Sequence, residues 1–429
     1  MTEPDPRIEP DPRTEPHLRI GVPSQSRWLA GLPAVCLGWV WARLCIASGY
    51  ATANLLVDRM EVPLASGMSR PTSLQQGWFM WDGAFYRGLA QQWYSRPQLS
   101  GLSGAGGSSG ILGEEARFFP VYPALGRLIG PLIGGHADWA LIAIANLAAF
   151  LGAWVLWKLV TEVLGDDHPA ANRSAVLVAI FPAAFVLAFA YSEGLALLVV
   201  AGALLALQRR NFVFAGSLAL LAASIRPVGG LLLIPIAIEL IRARPRPSWW
   251  KWVIGLGGPF VGLGLALLWI ERSTREFLLP LRLQQQLRGG FQDPITRVLE
   301  PVGEIFRGNF RDVYNLGFMI VFLLLFLFMV LGIRSQAGSL PVSLPVSLHV
   351  SLHVSLPVSW VAYSGVSLLL LLSSQVTDSL GRYGLLVPPF IVALALWTDR
   401  RWRSIAIGVT CSAGLIWLTS EAFLGRLVP

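Results

Sequence analysis

Long apolar runs separated by short polar segments dominate the sequence. The uninterrupted runs cover residues 28–50, 138–160, 173–191, 194–208, 249–270, 314–333, 357–374, 384–398 and 404–420. A helix that crosses a bilayer needs about 20 predominantly apolar residues, and its backbone polar groups must be satisfied within the helix. The pattern therefore predicts an all-α protein, a polytopic bundle of about ten transmembrane helices.

Two further apolar stretches are interrupted. Residues 212–241 are broken at Arg226-Pro227, and proline cannot continue a helix because it lacks an amide hydrogen and clashes with the preceding turn. We therefore predict two short helices that meet at a bend. Residues 118–134 contain three prolines, which favour a re-entrant or interfacial element, with a further span as the alternative.

Two segments have a composition that does not support a packed core. Residues 1–27 form a tail of prolines and charged residues, and residues 339–358 are a tandem repeat of SLPV and SLHV. Both are expected to lie outside the folded part, since such low-complexity segments bury too little apolar surface. The remainder, 28–429, is predicted to be a single transmembrane domain.

The composition narrows the class of protein. Hydrophobic residues make up 54% of the chain and charged residues 14%, against about 25% charged residues in an average soluble domain. This excludes a disordered protein, a disulfide scaffold and an ordinary cytosolic enzyme. The net charge is +8, but the sequence contains no solvated basic domain of the kind that binds nucleic acid. The lipid bilayer is therefore the expected partner. The three cysteines form no CxxC pair.

The basic residues of the short loops orient the chain, because such loops are enriched in arginine and lysine on the cytoplasmic side. Arginine clusters follow residues 208, 241 and 399. Placing them in the cytoplasm assigns the following segments to the outer side: the first long loop 51–137, the corner 191–193, the bend at Arg226, the second long loop 271–313, and 375–383. The second long loop carries seven arginines, against the rule, although long loops are largely exempt from it.

An acidic residue among aromatic residues marks the first outer loop. Asp82 lies within WFMWDGAFY, and Arg117 precedes the proline-rich FFPVYP, which contains Tyr122. One interpretation is an interfacial aromatic belt with a solvated carboxylate. The other is a general base at the membrane surface, beside aromatic side chains such as Trp81 that stack on a sugar.

Three charged residues interrupt or border apolar runs. Glu193 follows Tyr191-Ser192, Arg226 lies at the predicted bend, and Arg382 precedes Tyr383. A carboxylate at membrane depth costs about 3 kcal/mol and usually faces a polar cavity; a wetted turn is the alternative for Glu193. Arg226 is expected to bind a phosphate or, alternatively, backbone carbonyls at the bend, and Arg382 to add a second cation.

Carboxylates, arginines and aromatic residues on one membrane side suit the transfer of a sugar from a polyprenyl phosphate. Arginines stabilise the leaving phosphate, and a carboxylate deprotonates the acceptor hydroxyl in a displacement that inverts the anomeric carbon. We predict Asp82 as the catalytic residue. The predicted substrate-binding residues are Trp81, Arg117, Tyr122, Tyr191, Glu193, Arg226, Arg382 and Tyr383. The alternatives are a transporter or flippase for a lipid-linked sugar, and a membrane scaffold without chemistry.

Five segments, in order from about residue 78 to 390, resemble the PIG-V family. They are WDGAFYRGLA, ARFFPVYPALGRL, FPAAFVLAFAYSEGLALL, RRNFVFAGSLALLAASIRPVGGLLLIP and GRYGLLVPPF. This family groups relatives of the second mannosyltransferase of GPI-anchor assembly within the GT-C class of membrane glycosyltransferases.

The resemblance implies a GT-C-like fold, a polyprenyl-phosphate sugar donor, transfer of mannose or another hexose, and a glycan, lipid or protein acceptor. It places Asp82 at the acidic position of the first loop. Many members of the class carry a paired acidic motif, whereas Asp82 is followed by Gly83. The use of a divalent cation and a second carboxylate from Glu114 or Glu115 therefore stay open. For this arginine-rich chain with a tandem repeat, the expected location is a bacterial plasma membrane.

Overall fold

The computed structural model describes seven stretches of the chain: residues 29–57, 73–94, 114–166, 168–307, 313–336, 356–374 and 379–427. These stretches are helical, and no β-strand occurs in them. The N-terminal tail and all of the tandem repeat up to residue 355 lie outside the described ranges. The predicted all-α fold class is confirmed.

The helices differ widely in length. The α-helices are α1 (Leu32–Val57), α2 (Leu74–Gly77), α3 (Asp82–Gln92), α4 (Val121–Ile129), α5 (Ala137–Leu164), α6 (Ala170–Ile180), α7 (Glu193–Gln208), α8 (Phe212–Ile225), α9 (Leu233–Arg242), α10 (Trp249–Thr274), α11 (Leu279–Arg288), α12 (Pro294–Phe306), α13 (Val313–Gln336), α14 (Val358–Leu372), α15 (Leu380–Leu385), α16 (Pro388–Trp397) and α17 (Arg401–Phe423). Short 3-10 segments cover Leu29–Gly31, Glu114–Arg117, Gly130–Ile133, Ala184–Leu187 and Pro227–Leu232.

Five of the helical segments in the described ranges are long and apolar enough to cross a membrane. They are Leu29–Val57, Ala137–Leu164, Trp249–Thr274, Val313–Ile333 and Arg401–Phe423. Shorter apolar helices of 10–17 residues accompany them, and part of the expected ten spans falls on these. By length and composition the protein is an integral membrane protein.

Small residues allow the closest helix contacts. A Cβ atom added to Gly258 of α10 would overlap the carbonyl oxygen of Gly216 in α8, and one added to Gly262 would overlap that of Leu220. Close backbone approach through small residues is typical of helix pairs in membranes, where dispersion contacts replace the hydrophobic effect. This interface holds the end of α8, and with it Arg226, in a defined place.

The run 173–191 departs from its prediction as one span. The helix α6 ends at Ile180, because Phe181 adopts an extended conformation before Pro182, as residues preceding proline do. The chain then continues to Ser192 as largely buried backbone that includes the 3-10 segment Ala184–Leu187. Most of its amides bond within the stretch, and Ala190 N donates to the carbonyl of Trp78 at 2.9 Å.

The interrupted stretch 212–241 is bent as predicted. Helix α8 ends at Ile225, Arg226 is extended, and a 3-10 segment begins at Pro227 before α9. The stretch 118–134 forms the short helix α4 and a 3-10 turn rather than a full-length span. The predicted outer loop 271–313 is also structured, since it contains α11 and α12.

Candidate functional site

A cavity of about 550 Å³ lies where the segments assigned to the outer side converge. It is bounded by the start of α3, the 3-10 segment before α4, the bend after α8, the α11 region, the end of α14 and the start of α15. Its charged and polar wall includes Asp82, Tyr86, Arg117, Arg226, Gln284, Ser379, Arg382 and Tyr383. Segments far apart in the chain, all predicted from the loop charges to lie on the outer side, thus meet at one cavity.

A strained turn positions Asp82. It is the first residue of α3, and Trp81 before it has a φ of 52°, which is unfavourable for a residue with a side chain. Two contacts hold this turn: the carbonyl of Trp78 accepts from Ala190 N, and the Tyr191 hydroxyl donates to the carbonyl of Met80 at 3.1 Å. The helix N-terminus also favours the negative charge of the carboxylate.

Four charged side chains form a continuous chain of ion pairs at the cavity. Arg382 Nη1 contacts Asp82 Oδ2, and Arg226 Nη1 contacts Glu193 Oε1. Glu193 Oε1 also lies 3.2 Å from Arg382 Nε, an ion-pair contact without hydrogen-bond alignment. We call Asp82, Arg382, Glu193 and Arg226 the ion-pair chain; its two positive and two negative charges cancel.

The members of the ion-pair chain differ in exposure. The side chain of Glu193 is 0% exposed and that of Arg382 5%, whereas that of Asp82 is 21% exposed. Glu193 begins α7 and lies behind the two arginines, off the cavity wall, while Asp82 and both arginines line the cavity. The sequence predicts that Glu193 faces a polar cavity or a wetted turn. Instead it is buried behind the cavity wall, and the charged groups that it contacts are the protein's own arginines.

Hydroxyl groups extend the polar network from the arginines. Arg226 Nη1 donates to Ser192 Oγ at 3.2 Å, and the Tyr86 and Ser192 hydroxyls share a hydrogen bond of 2.8 Å. Burial raises the pKa of the Tyr86 hydroxyl above its ordinary range, so this group is a neutral phenol. Arg382 Nη2 donates to Ser379 Oγ at 3.4 Å.

The predicted aromatic residues divide into two groups. Tyr383 lines the cavity, with its ring 5.0 Å from Cζ of Arg226 and 5.3 Å from Cζ of Arg382. Tyr122 and Tyr191 are fully buried behind the wall, and Trp81 packs against the main hydrophobic core. These three residues therefore support the wall; in this structure they do not face the cavity.

Part of the cavity wall is apolar. It is formed by Leu231, Leu281, Phe291, Leu370 and Leu371. The backbone joins two of these segments, since Gln292 N donates to the carbonyl of Ser373 at 3.0 Å. Neither this apolar wall nor Ser379 and Gln284 could be predicted from the sequence, because no local pattern relates the second outer loop to the end of α14.

The described side chains at the cavity do not offer a divalent cation a set of ligands. Among the described residues, no group of three or more His, Cys, Asp or Glu side chains could hold a metal ion, and Asp82 is the carboxylate that these residues contribute to the cavity wall. That carboxylate is already paired with Arg382. Glu115 does not line the cavity, and Asp378 and the Glu114 side chain lie outside the described part of the chain.

Comparisons with known proteins give little similarity. No protein-family model matches the sequence, and no curated protein matches it. The structure is similar to the crystal structure of the Archaeoglobus fulgidus oligosaccharyltransferase tethered to an acceptor peptide, with a TM-score of 0.43 and 12% identity. The match covers 94% of this chain and 56% of that one, so the chain spans about half the length of that enzyme. This similarity is too low to assign a fold family or an activity.

Proposed function

We propose that the protein is an inverting membrane glycosyltransferase. It moves mannose or another hexose from a polyprenyl-phosphate donor to a glycan, lipid or protein acceptor on the extracytoplasmic side. The observation that carries the proposal is the convergence of Asp82, Arg226 and Arg382 on one cavity that is also lined by apolar side chains. The PIG-V resemblance supports mannose as the sugar to test first.

The two parts of the cavity match the two parts of the donor. Arg226 and Arg382, with Arg117 nearby on the wall, supply guanidinium donors for a phosphate, the group that arginine binds best through paired hydrogen bonds. The wall that contains Phe291 and Leu371 offers apolar surface to the first isoprene units. A volume of about 550 Å³ lies in the range typical of small-molecule sites.

The chemistry needs one base and a stabilised leaving group. The acceptor oxygen attacks C1 of the sugar while Asp82 takes its proton, and the C1–O bond to the phosphate breaks with its electron pair going to the phosphate oxygen. Arg226 and Arg382 stabilise the charge that develops there. Attack opposite to the phosphate inverts the anomeric carbon.

The test is a transfer assay on purified protein in nanodiscs. Radiolabelled polyprenyl-phosphate mannose is the donor, a membrane extract is the acceptor pool, and wild type is compared with Asp82→Asn. Asp138→Asn is the matched control, because it removes a carboxylate of the same outer region that does not line the cavity. We expect label in a new product with wild type and control only.

Two results would contradict the proposal. Full transfer by a folded Asp82→Asn protein would remove Asp82 as the base. The second result has two parts: the label stays on the donor with wild type, and the same donor crosses the membrane of sealed vesicles that contain the protein. Together they would establish the flippase hypothesis.

A further inference from the structure

Arg382 contacts two carboxylates that are held very differently. Glu193 is fully buried, and Asp82 lies at the cavity wall with 21% of its side chain exposed. The contact with Asp82 involves Oδ2 and Arg382 Nη1, on the cavity side of the guanidinium, while Nε faces Glu193. The outer partner of Arg382 can therefore be replaced from the cavity without disturbing the inner one.

Glu193 is fixed by its surroundings. It begins α7, and the next residue, Gly194, packs so tightly that an added Cβ would overlap the carbonyl oxygen of Ala145. Its Oε1 contacts both arginines, and its Oε2 has no hydrogen-bond partner among the described residues. A buried carboxylate between two guanidinium groups is a stable anchor for both, because each charge compensates the burial of the others.

Asp82 is paired with Arg382 through the carboxylate that is proposed to act as the base. A general base approaches the acceptor hydroxyl with a free oxygen, and one of the two carboxylate oxygens of Asp82, Oδ2, is held by Arg382 in this structure. The donor phosphate is a diester with one negative charge and two free oxygens, which can accept paired hydrogen bonds from a guanidinium. As the C1–O bond breaks, the phosphate becomes a monoester with more charge and three acceptor oxygens, so its hold on Arg382 strengthens during the reaction.

We propose that Glu193 is a positioning residue that anchors Arg226 and Arg382, and that the donor phosphate takes Arg382 from Asp82 and thereby releases Oδ2 of the base. This inference rests on the proposed function. The exchange leaves both carboxylate oxygens of Asp82 free for the acceptor hydroxyl.

The first test is binding without turnover. Farnesyl phosphate, farnesol and inorganic phosphate are titrated into the purified full-length protein in nanodiscs by isothermal calorimetry. Asp82→Asn removes the competitor for Arg382, so we expect farnesyl phosphate to bind about fivefold more tightly. Farnesol, which has the same chain and no phosphate, should bind as it does to wild type. Asp138→Asn controls for the general loss of one negative charge.

Inorganic phosphate separates the headgroup from the lipid. If Asp82→Asn binds both farnesyl phosphate and inorganic phosphate more tightly than wild type does, the exchange takes place at the headgroup. Unchanged or weaker binding of farnesyl phosphate to Asp82→Asn would overturn the inference. Misfolding cannot imitate the expected result, since it would weaken binding.

Glu193 is tested with a pair of variants. Glu193→Gln should weaken the binding of farnesyl phosphate about tenfold and leave the binding of farnesol unchanged. Glu193→Asp should restore part of the affinity for farnesyl phosphate. Equal losses for farnesol and farnesyl phosphate in Glu193→Gln would show a merely structural role. In wild type, a polyprenyl phosphate product should inhibit competitively against the donor and non-competitively against the acceptor.

The two proposals fail in different ways. If Asp82→Asn abolishes transfer and does not tighten the binding of farnesyl phosphate, the glycosyltransferase proposal stands and the proposed exchange is wrong. If the tightening occurs and wild type transfers no sugar, the exchange describes a phosphate site of another activity.

Discussion

Each charge of the ion-pair chain is tolerable only because of the others. Glu193 and both arginines are buried, and an isolated ion in such surroundings would lose several kcal/mol of hydration. Arg226 is shared between Glu193 and the Ser192 hydroxyl, and Arg382 between Glu193 and Asp82. The network thus serves stability and substrate binding with the same groups.

Arg226→Gln tests this dual role. It leaves the buried Glu193 carboxylate short of one partner, so the free energy of unfolding should fall by about 3 kcal/mol. Sugar transfer should fall about a hundredfold, because one guanidinium at the leaving phosphate is lost. Arg226→Lys keeps the charge and should recover most of the stability but little of the activity. Thermal unfolding in detergent and the transfer assay measure the two effects, and wild-type activity in Arg226→Gln would refute the assignment.

Tyr86→Phe tests the outer end of the network. The variant removes the hydroxyl that shares a hydrogen bond with Ser192, while Ser192 keeps its bond from Arg226. We expect a loss of about 1 kcal/mol in the free energy of unfolding and transfer activity within a few-fold of wild type. A hundredfold loss of activity without loss of stability would instead give Tyr86 a direct part in the reaction.

At the scale of elements, the α8–α10 interface gives the sharpest contrast. Gly257 and Gly258 are adjacent in α10, yet an added Cβ meets nothing within 4 Å at Gly257 and overlaps the backbone of α8 at Gly258. We expect Gly257→Ala to stabilise the protein by about 0.5–1 kcal/mol, since alanine favours the helix. Gly258→Ala should destabilise it by about 2 kcal/mol or more, because the helices must separate. The melting temperatures of both variants, measured in the same detergent, test these two expected changes in stability.

The start of α12 is set by a capping residue outside the candidate spans. Asp293 Oδ2 accepts from Thr296 N at 2.8 Å and from the Thr296 hydroxyl at 2.9 Å. These bonds lower the pKa of the Asp293 carboxyl. The cap is therefore fully effective above the ordinary pKa of an aspartate and is lost as the pH falls through the lowered value.

Hydrogen exchange checks the cap of α12. Asp293→Ala should speed exchange of the amides in the first turn of α12, whereas Asp293→Asn, which also caps helices well, should not. Equal exchange in the two variants would show that packing, rather than the cap, fixes this end.

The scale of the whole molecule separates what the sequence could predict from what it could not. The sharing of one side by Asp82, Arg226 and Arg382 followed from loop charges and hydropathy alone. The pairing of Arg382 with both Asp82 and Glu193 could not be predicted, because it depends on how helices pack, and no local pattern encodes that. The sequence predicts three aromatic residues, Trp81, Tyr122 and Tyr191, to bind a ligand. In the structure they pack behind the cavity wall.

Local signals were still present where the predicted segments differ from the structure. The end of α6 before Pro182 follows the rule for residues preceding proline, and the Asp293-Pro294 pair is an ordinary helix start. Within the long arginine-rich loop, α11 and α12 were hidden because their apolar content is low beside that of the spans. Hydropathy finds membrane helices and overlooks helices of mixed character.

Membrane topology is a prediction for the whole molecule. Single cysteines placed at Glu300 of α12 and at Arg401 of α17 should label from opposite sides with a membrane-impermeant maleimide. Both positions are exposed in the structure, and Cys36, Cys45 and Cys411 are replaced by serine or alanine as background. We expect Glu300→Cys to react from outside intact cells and Arg401→Cys only after permeabilisation. The reverse would invert the orientation of the site.

The contact between Asp82 and Arg382 joins residues that are 300 positions apart. A ribosome that has delivered the first eight helices has already placed Asp82 in the membrane, but Arg382 follows only after α14. Until then Glu193 and Arg226 lack Arg382 as a partner, and the pocket lacks one of its walls. Assembly of the site is thus a late event in biogenesis.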